Sequence, residues 1–259
     1  MKIEENNIFA VGCSFTWGES LQFFSGLDSV IWKEVRPSFP DAEKTLDEAQ
    51  LNFIKENRWV SQLAKKLGVN YITQSKNGGS NMQSLLKAKY FYNNTDNIKN
   101  YKIFILQITQ FVRDPIMFKS PDGEYFALQD ISTMHSDFDI LKLKNENIIL
   151  NSYEYFFDKC LSFFENLKNN GVNPYIICYP KDSADVLLKY NNLLEYHIPL
   201  TYCEKSYNST DELCFEHPNL VIENYFKDKN LNKGDVHMTL DGHKIISDSI
   251  YNRIINDNK

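Results

Sequence analysis

Long apolar runs and N-terminal targeting patterns are absent from this sequence of 259 residues. No run is long and apolar enough to span a bilayer, so we expect no membrane-embedded segment. Residues 1–7 are polar and acidic, and they cannot supply the apolar part of a signal peptide. The sequence therefore predicts a cytoplasmic protein with no membrane partner.

Cysteine pairs and clustered basic residues are missing as well. The five cysteines are odd in number and form no Cys-x-x-Cys pair, which indicates reduced thiols and no zinc site. The net charge is −6, and the Lys and Arg residues are scattered. Because nucleic-acid binding needs a clustered basic face, we expect no nucleic-acid partner. No internal repeat, P-loop or dinucleotide-binding fingerprint is present either.

Short apolar segments alternate along the chain with segments of helical periodicity. Strands are predicted at 8–11, 69–72, 102–108, 173–179 and 219–222, and helices at 59–67, 81–92, 153–167, 184–194 and 245–255. This alternation predicts a three-layer α/β/α domain with a parallel sheet of about five strands. The length and the apolar content favour a single domain over residues 1–259, with insertions near 25–57 and 115–147.

A serine follows the first predicted strand in the stretch Gly12-Cys13-Ser14. Open α/β sheets place their sites at the carboxyl ends of strands, so Ser14 is a candidate nucleophile. The alternative is an ordinary strand-to-helix turn with a serine N-cap. A Cys13 nucleophile is disfavoured, because adjacent side chains point in different directions.

A carboxylate and two imidazoles lie close to the last predicted helix, at Asp235, His237 and His243. His243 falls in the first turns of that helix, where a histidine usually caps or packs. His237 precedes the helix in a loop and is the better candidate for a general base.

Taken in chain order, these motifs resemble those of the SGNH (GDSL-type) hydrolases. Gly12-Cys13-Ser14 takes the place of the family's Gly-Asp-Ser motif, and residues 77–81 resemble its second motif, a loop that contains a glycine. Asp235 and His237 take the place of the Asp/His pair that precedes the family's last helix. The resemblance implies a flavodoxin-like sheet, the triad Ser14, His237 and Asp235, and an oxyanion hole built from the amides of Ser14 and Gly79. Thr109 falls where the family has an Asn side chain and is the third candidate donor.

Two departures from the family pattern leave the function open at this point. After the central strand, where the family has the motif Gly-x-Asn-Asp, this sequence has Gln107-Ile108-Thr109-Gln110. The Asp/His pair before the last helix has the spacing Asp-x-His, whereas the family has Asp-x-x-His. The resemblance implies a serine esterase that cleaves a small acyl ester, such as an acetyl group on a carbohydrate. The alternatives are an acetyltransferase of the same fold and a non-catalytic binding or structural module. None of these mechanisms needs a metal or an organic cofactor.

Overall fold

The computed structural model describes residues 7–18, 21–24, 46–75, 79–94, 100–114, 117–127, 146–225 and 237–258. The strands are β1 (Asn7–Gly12), β2 (Tyr71–Ser75), β3 (Tyr101–Ile108), β4 (Met117–Lys119), β5 (Tyr125–Ala127), β6 (Asn173–Cys178), β7 (Leu200–Tyr202) and β8 (Lys205–Tyr207). Four of them form a parallel sheet in the order β2-β1-β3-β6. The other four form two antiparallel pairs, β4 with β5 and β7 with β8.

The helices surround this central sheet. They are α1 (Ser14–Trp17), α2 (Glu48–Asn57), α3 (Trp59–Leu67), α4 (Asn81–Asn93), α5 (Glu146–Asn169), α6 (Lys181–Leu187), α7 (Asn191–Leu194), α8 (Thr210–Glu216), α9 (Ile222–Tyr225) and α10 (Leu240–Asp257). Within the described ranges, short 3-10 helices lie at Leu21–Phe24, Phe111–Arg113 and Pro218–Leu220.

Alternate residues of the strands bury side chains on opposite faces of the sheet, as the two-residue period of a strand requires. In β1, Ile8 and Ala10 pack with α3 and α10 on one face. Phe9 and Val11 pack with α4 and α5 on the other face. Because both faces are covered, the strands have nearly continuous apolar sequences, which is typical of parallel sheets. The predicted three-layer α/β/α architecture is confirmed.

The count of strands differs from the expected number of about five. In the described residues the sheet has four strands, and the position beyond β6 holds a single parallel bridge between Ile176 and His197. The strand predicted at 219–222 is wrong. Pro218 there begins a 3-10 helix, and only Val221 pairs, in an isolated antiparallel bridge to Met238. Val221 lies directly between this 3-10 helix and α9, so the extended segment is a single residue, which is too short for a ladder.

Parts of both predicted insertions have regular structure. In the first, α2 begins with a capping box, in which the Asp47 side chain accepts from the Gln50 amide. In the second, residues 117–127 form the β4–β5 pair. Residues 25–45 and 128–145 lie outside the described part, so the single-domain assignment stays a prediction. Among the described helices, none has the length and apolar character needed to cross a membrane.

Candidate active site

Ser14 is the first residue of α1, one residue beyond the turn that ends β1. Its side chain is 3% exposed, and α1 closes after one turn when the Gly18 amide donates to the Ser14 carbonyl at 2.8 Å. Gly18 has φ of +89°, a conformation that glycine adopts without steric cost. The amide of Ser14 lies in the first turn, where N–H groups have no partner within the helix. It is therefore positioned as a donor at the carboxyl end of the sheet.

Close packing against β3 explains why the residue before this turn is a glycine. A Cβ atom on Gly12 would lie 2.9 Å from Cβ of Gln107 and closer still to the hydroxyl oxygen of Thr16, and real Cβ atoms essentially never approach other atoms so closely. Gln107 is buried, and its Oε1 accepts from the hydroxyl of Thr16 at 2.5 Å. The turn that carries Ser14 is thus tied by a side chain to the strand beside it. Sequence reasoning missed this contact, which joins residues 91 positions apart.

The Cys13 thiol faces the interior of the protein. The residue is fully buried in the core on the α3 and α10 face of the sheet, and Sγ lies 3.8 Å from Oε1 of Gln107. A thiol in this position contacts protein atoms on all sides, which disfavours the Cys13 alternative.

A buried amide connects the second loop to the end of β3. Asn81, at the start of α4, accepts from the Thr109 amide at 2.7 Å and donates to the Thr109 carbonyl at 3.1 Å. It also donates to the Asp114 carboxylate at 2.7 Å, and that carboxylate accepts from the Met82 amide. Ser80 and Asn81 both lie at the start of α4 and both have side chains of the kind that cap helices. Ser80 is the cap, and Asn81 instead fixes the backbone of Thr109.

Thr109 is the first residue beyond β3, and Gly79 lies between β2 and α4 along the chain. Val11 pairs with Leu106, so Ser14 and Thr109 each lie three residues beyond paired positions on neighbouring strands. The Thr109 amide already donates to Asn81, which leaves its buried hydroxyl as its only available donor. Among the described residues this hydroxyl has no hydrogen-bond partner. Gly79 is buried just before the Ser80 cap.

His237 lies beside the turn that carries Ser14. Its ring packs on Phe15, the residue after Ser14, with 4.6 Å between the ring centroids. Its carbonyl accepts from the Ile222 amide at 2.9 Å, which ties the loop before α10 to the rest of the protein. Asp235, predicted to orient this ring, lies outside the described residues.

His243 has the capping and packing role expected from its place in the last helix. Its Nδ1 accepts from the backbone amide of Trp59 at 3.2 Å, at the start of α3. Since the backbone N–H can only donate, the ring proton lies on Nε2. Burial, together with nearby His237 and Arg58, lowers the pKa of His243 to about 3. The ring is therefore neutral and acts as a fixed acceptor.

Acid is expected to destabilise the protein through His243. Its pKa falls from 6.5 in the unfolded chain to about 3 in the folded protein, so between these values only the unfolded chain binds the proton. Stability is complete above pH 6.5 and falls below it by up to about 1.4 kcal/mol per pH unit. In urea unfolding, the free energy of unfolding of the wild type should drop by about 2–3 kcal/mol more between pH 6.5 and 4.5 than that of His243→Asn.

Asparagine is the matched replacement, because its amide oxygen can accept from the Trp59 amide but does not titrate. Equal losses of stability in the two proteins would show that His243 does not carry the acid sensitivity.

The described residues contain no group of three His, Cys, Asp or Glu side chains that could hold a metal ion. All five cysteines are free thiols. The described residues beyond the carboxyl ends of β1 and β3 include the hydroxyl-bearing Ser14 and Thr109, and the His237 ring packs beside Ser14 on Phe15.

The sequence matches no protein-family model, and no curated protein matches it. Solved structures that are similar to the chain include an esterase from Pseudoalteromonas sp., with 10% identity, coverage of 97% of both chains and a TM-score of 0.42. An acetyl xylan esterase from Geobacillus stearothermophilus has 13% identity, coverage of 98% of this chain and 97% of its own, and a TM-score of 0.43. A lipolytic protein of the G-D-S-L family from Desulfitobacterium hafniense has 11% identity, coverage of 95% and 98%, and a TM-score of 0.37. Similarities of this size assign no residue role and no activity to this chain.

Proposed function

We propose that the protein is a serine esterase that cleaves a small acyl ester, with Ser14 as the nucleophile and His237 as the general base. The observation that carries this proposal is the packing of the His237 ring on Phe15, next to Ser14. A serine hydroxyl attacks an acyl carbon only when a base takes its proton, and His237 is the imidazole beside this turn. The finer substrate, an acetyl ester on a carbohydrate, rests on the resemblance to the SGNH hydrolases.

In the proposed mechanism, His237 accepts the proton of Ser14 as the hydroxyl oxygen attacks the ester carbonyl. The same imidazolium then donates that proton to the departing alcohol, and an acyl-serine remains. Water, deprotonated by His237, attacks this ester and releases the acid, and the imidazolium returns its proton to the Ser14 oxygen. Asp235 is proposed to hold the second ring nitrogen, so Asp235→Asn should weaken turnover less than loss of the base does.

The oxyanion is proposed to be held by the amides of Ser14 and Gly79 and by the hydroxyl of Thr109. The position of Ser14 in the first turn of α1 supports its role, because that amide needs a partner from outside the helix. The two hydrogen bonds between Asn81 and the backbone of Thr109 support the role of Thr109, since they fix that backbone before substrate arrives. Donors that are fixed in advance stabilise developing charge without a cost of reorganisation.

Removal of the Thr109 hydroxyl is expected to impair turnover without abolishing it. Loss of one oxyanion donor typically lowers kcat by about a hundredfold or more, and two donors would remain in Thr109→Ala. Thr109→Ser is the matched control because it keeps the hydroxyl and should retain most of the activity. An unchanged kcat in Thr109→Ala would exclude this side chain from the oxyanion hole.

The basic test is release of 4-nitrophenol from 4-nitrophenyl acetate by the purified protein, measured against Ser14→Ala at equal concentration. An esterase gives turnover that depends on Ser14. A folded protein with no turnover on acetyl, butyryl and longer esters would favour the non-catalytic alternative.

A further inference from the structure

A small cavity lies against the helical turn that carries Ser14. Its volume is about 230 Å³. The lining residues are Trp17, Leu51, Ile54, Lys55, Arg58, Thr73 and Ser75. Trp17 belongs to α1, and Thr73 and Ser75 belong to β2, so the cavity lies between the nucleophile turn and the neighbouring strand. Two of the lining side chains are cations, and none of them is an acid.

Arg58 is the unusual residue of this cavity, because its guanidinium is buried without a counter-charge. It is 9% exposed and lies between α2 and α3. Its Nη2 donates to the Tyr71 hydroxyl at 3.3 Å, and the guanidinium lies 5.2 Å from the centre of that ring. Among the described residues no carboxylate forms an ion pair with it, and its Nε has no hydrogen-bond partner.

A buried charge of this kind is costly unless an opposite charge accompanies it. The Tyr71 hydroxyl is neutral, and it already donates its own proton to the Lys55 carbonyl at 2.8 Å. The Tyr71 hydroxyl therefore accepts a hydrogen bond from only one of the five guanidinium N–H groups and supplies no negative charge. The fork of an arginine matches the paired oxygens of a carboxylate or a phosphate.

The other polar groups of the cavity favour the same kind of ligand. Lys55 adds a second cation at an exposed position. The Thr73 hydroxyl donates to the Ser75 oxygen at 3.0 Å, so the Ser75 hydroxyl is left to donate its own proton elsewhere. The lining residues thus carry guanidinium, ammonium and hydroxyl donors and no negatively charged side chain.

We propose that this cavity is a subsite for an oxyanion group, a carboxylate, sulfate or phosphate, on the ester substrate. Its volume lies below the range of about 300–1,000 Å³ that is usual for pockets that enclose a whole small molecule, so it fits one charged group. Trp17 joins the subsite to Ser14 through the single turn of α1. The link to ester cleavage rests on the proposed function, whereas the binding of the anion does not.

Binding is tested by thermal unfolding with D-glucuronate, sulfate and phosphate, against D-glucose and NaCl at matched ionic strength. At least one anion should raise Tm saturably, by about 2–4 °C at roughly five times its Kd. The anion with the lowest Kd identifies the group that the subsite selects. The shift should disappear in Arg58→Gln and weaken in Lys55→Gln. The Lys55 side chain is exposed, so its replacement should leave the fold intact.

Lys65→Gln is the matched control, because it removes a cation from α3 outside the cavity and should keep the full shift. The binding proposal is overturned if none of the three anions raises Tm by more than NaCl does at the same ionic strength. It is also overturned if the shift persists undiminished in both Arg58→Gln and Lys55→Gln.

The link to the substrate is tested with an ester pair, 4-acetoxybenzoate and its uncharged methyl ester. The ratio of their kcat/KM values should fall about tenfold to a hundredfold in Arg58→Gln relative to the wild type, as expected for loss of a hydrogen bond to a charged group. An unchanged ratio, with anion binding intact, would disconnect the subsite from catalysis. If the wild type cleaves neither these two esters nor 4-nitrophenyl acetate, the proposed function fails, while the thermal measurements still decide whether the cavity binds anions.

Discussion

Ser14→Ala is expected to lower kcat for a short acyl ester by about 10⁴-fold or more while the protein keeps its fold. The hydroxyl is the only group that the substitution removes, and no hydrogen bond of α1 depends on it, because the turn is closed through the backbone of Ser14. Without this oxygen no acyl-serine can form, and water must attack the ester directly. The measurement is the kcat of both proteins on 4-nitrophenyl acetate, with Tm as the test of folding.

Cys13→Ala is the matched control for this experiment, because it removes a neighbouring nucleophile from the same turn. Its thiol packs in the core, so the variant should lose some stability and keep most of its activity. Full activity in Ser14→Ala, together with an inactive but folded Cys13→Ala, would show that the Cys13 thiol is the nucleophile.

His237→Ala is expected to produce a loss of similar size, since the nucleophile and its base act as one unit. The serine hydroxyl would keep its position but would have no group to take its proton. The loop before α10 is held by backbone hydrogen bonds to Leu220 and Ile222, which the substitution leaves in place. Hydrolysis should therefore be abolished in a protein that still unfolds cooperatively.

The matched control is His243→Ala, six residues along the chain. This change removes the acceptor of the Trp59 amide and opens space in the core, so Tm should fall while the folded fraction keeps much of its activity. If His243→Ala proved inactive at unchanged Tm while His237→Ala stayed active, the base would be His243.

The elements that the sequence predicted well are those whose pattern is local. The strands at 102–108 and 173–179 have continuous apolar centres, and the helix at 59–67 has a regular apolar stripe that ends at Gly68. The structure places β3, β6 and α3 at these positions. The single helix predicted at 184–194 is wrong. The structure has two short helices there, α6 and α7, because the chain makes a turn at residues 188–189 between them.

The contacts that shape the candidate site were harder to predict, since they join distant parts of the chain. Gln107 appears in the sequence only as a polar residue of a strand, and its bond to Thr16 depends on the parallel pairing of β1 with β3. Asn is common at the start of helices, so Asn81 looks ordinary in the sequence, and only the fold brings it to Thr109. Arg58 resembles a solvated charge between two helices until Tyr71 and the cavity are seen around it.

The most direct test of the account is covalent trapping of the nucleophile with a fluorophosphonate, followed by digestion and mass spectrometry of the labelled peptide. The reagent reacts with a serine only when a base activates it and an oxyanion site receives the phosphonyl oxygen. We expect one phosphonyl group on Ser14, no label in Ser14→Ala and strongly slowed labelling in His237→Ala. A folded wild-type protein that remains unlabelled, or that carries the label on a residue other than Ser14, would contradict the assignment of Ser14 as the nucleophile.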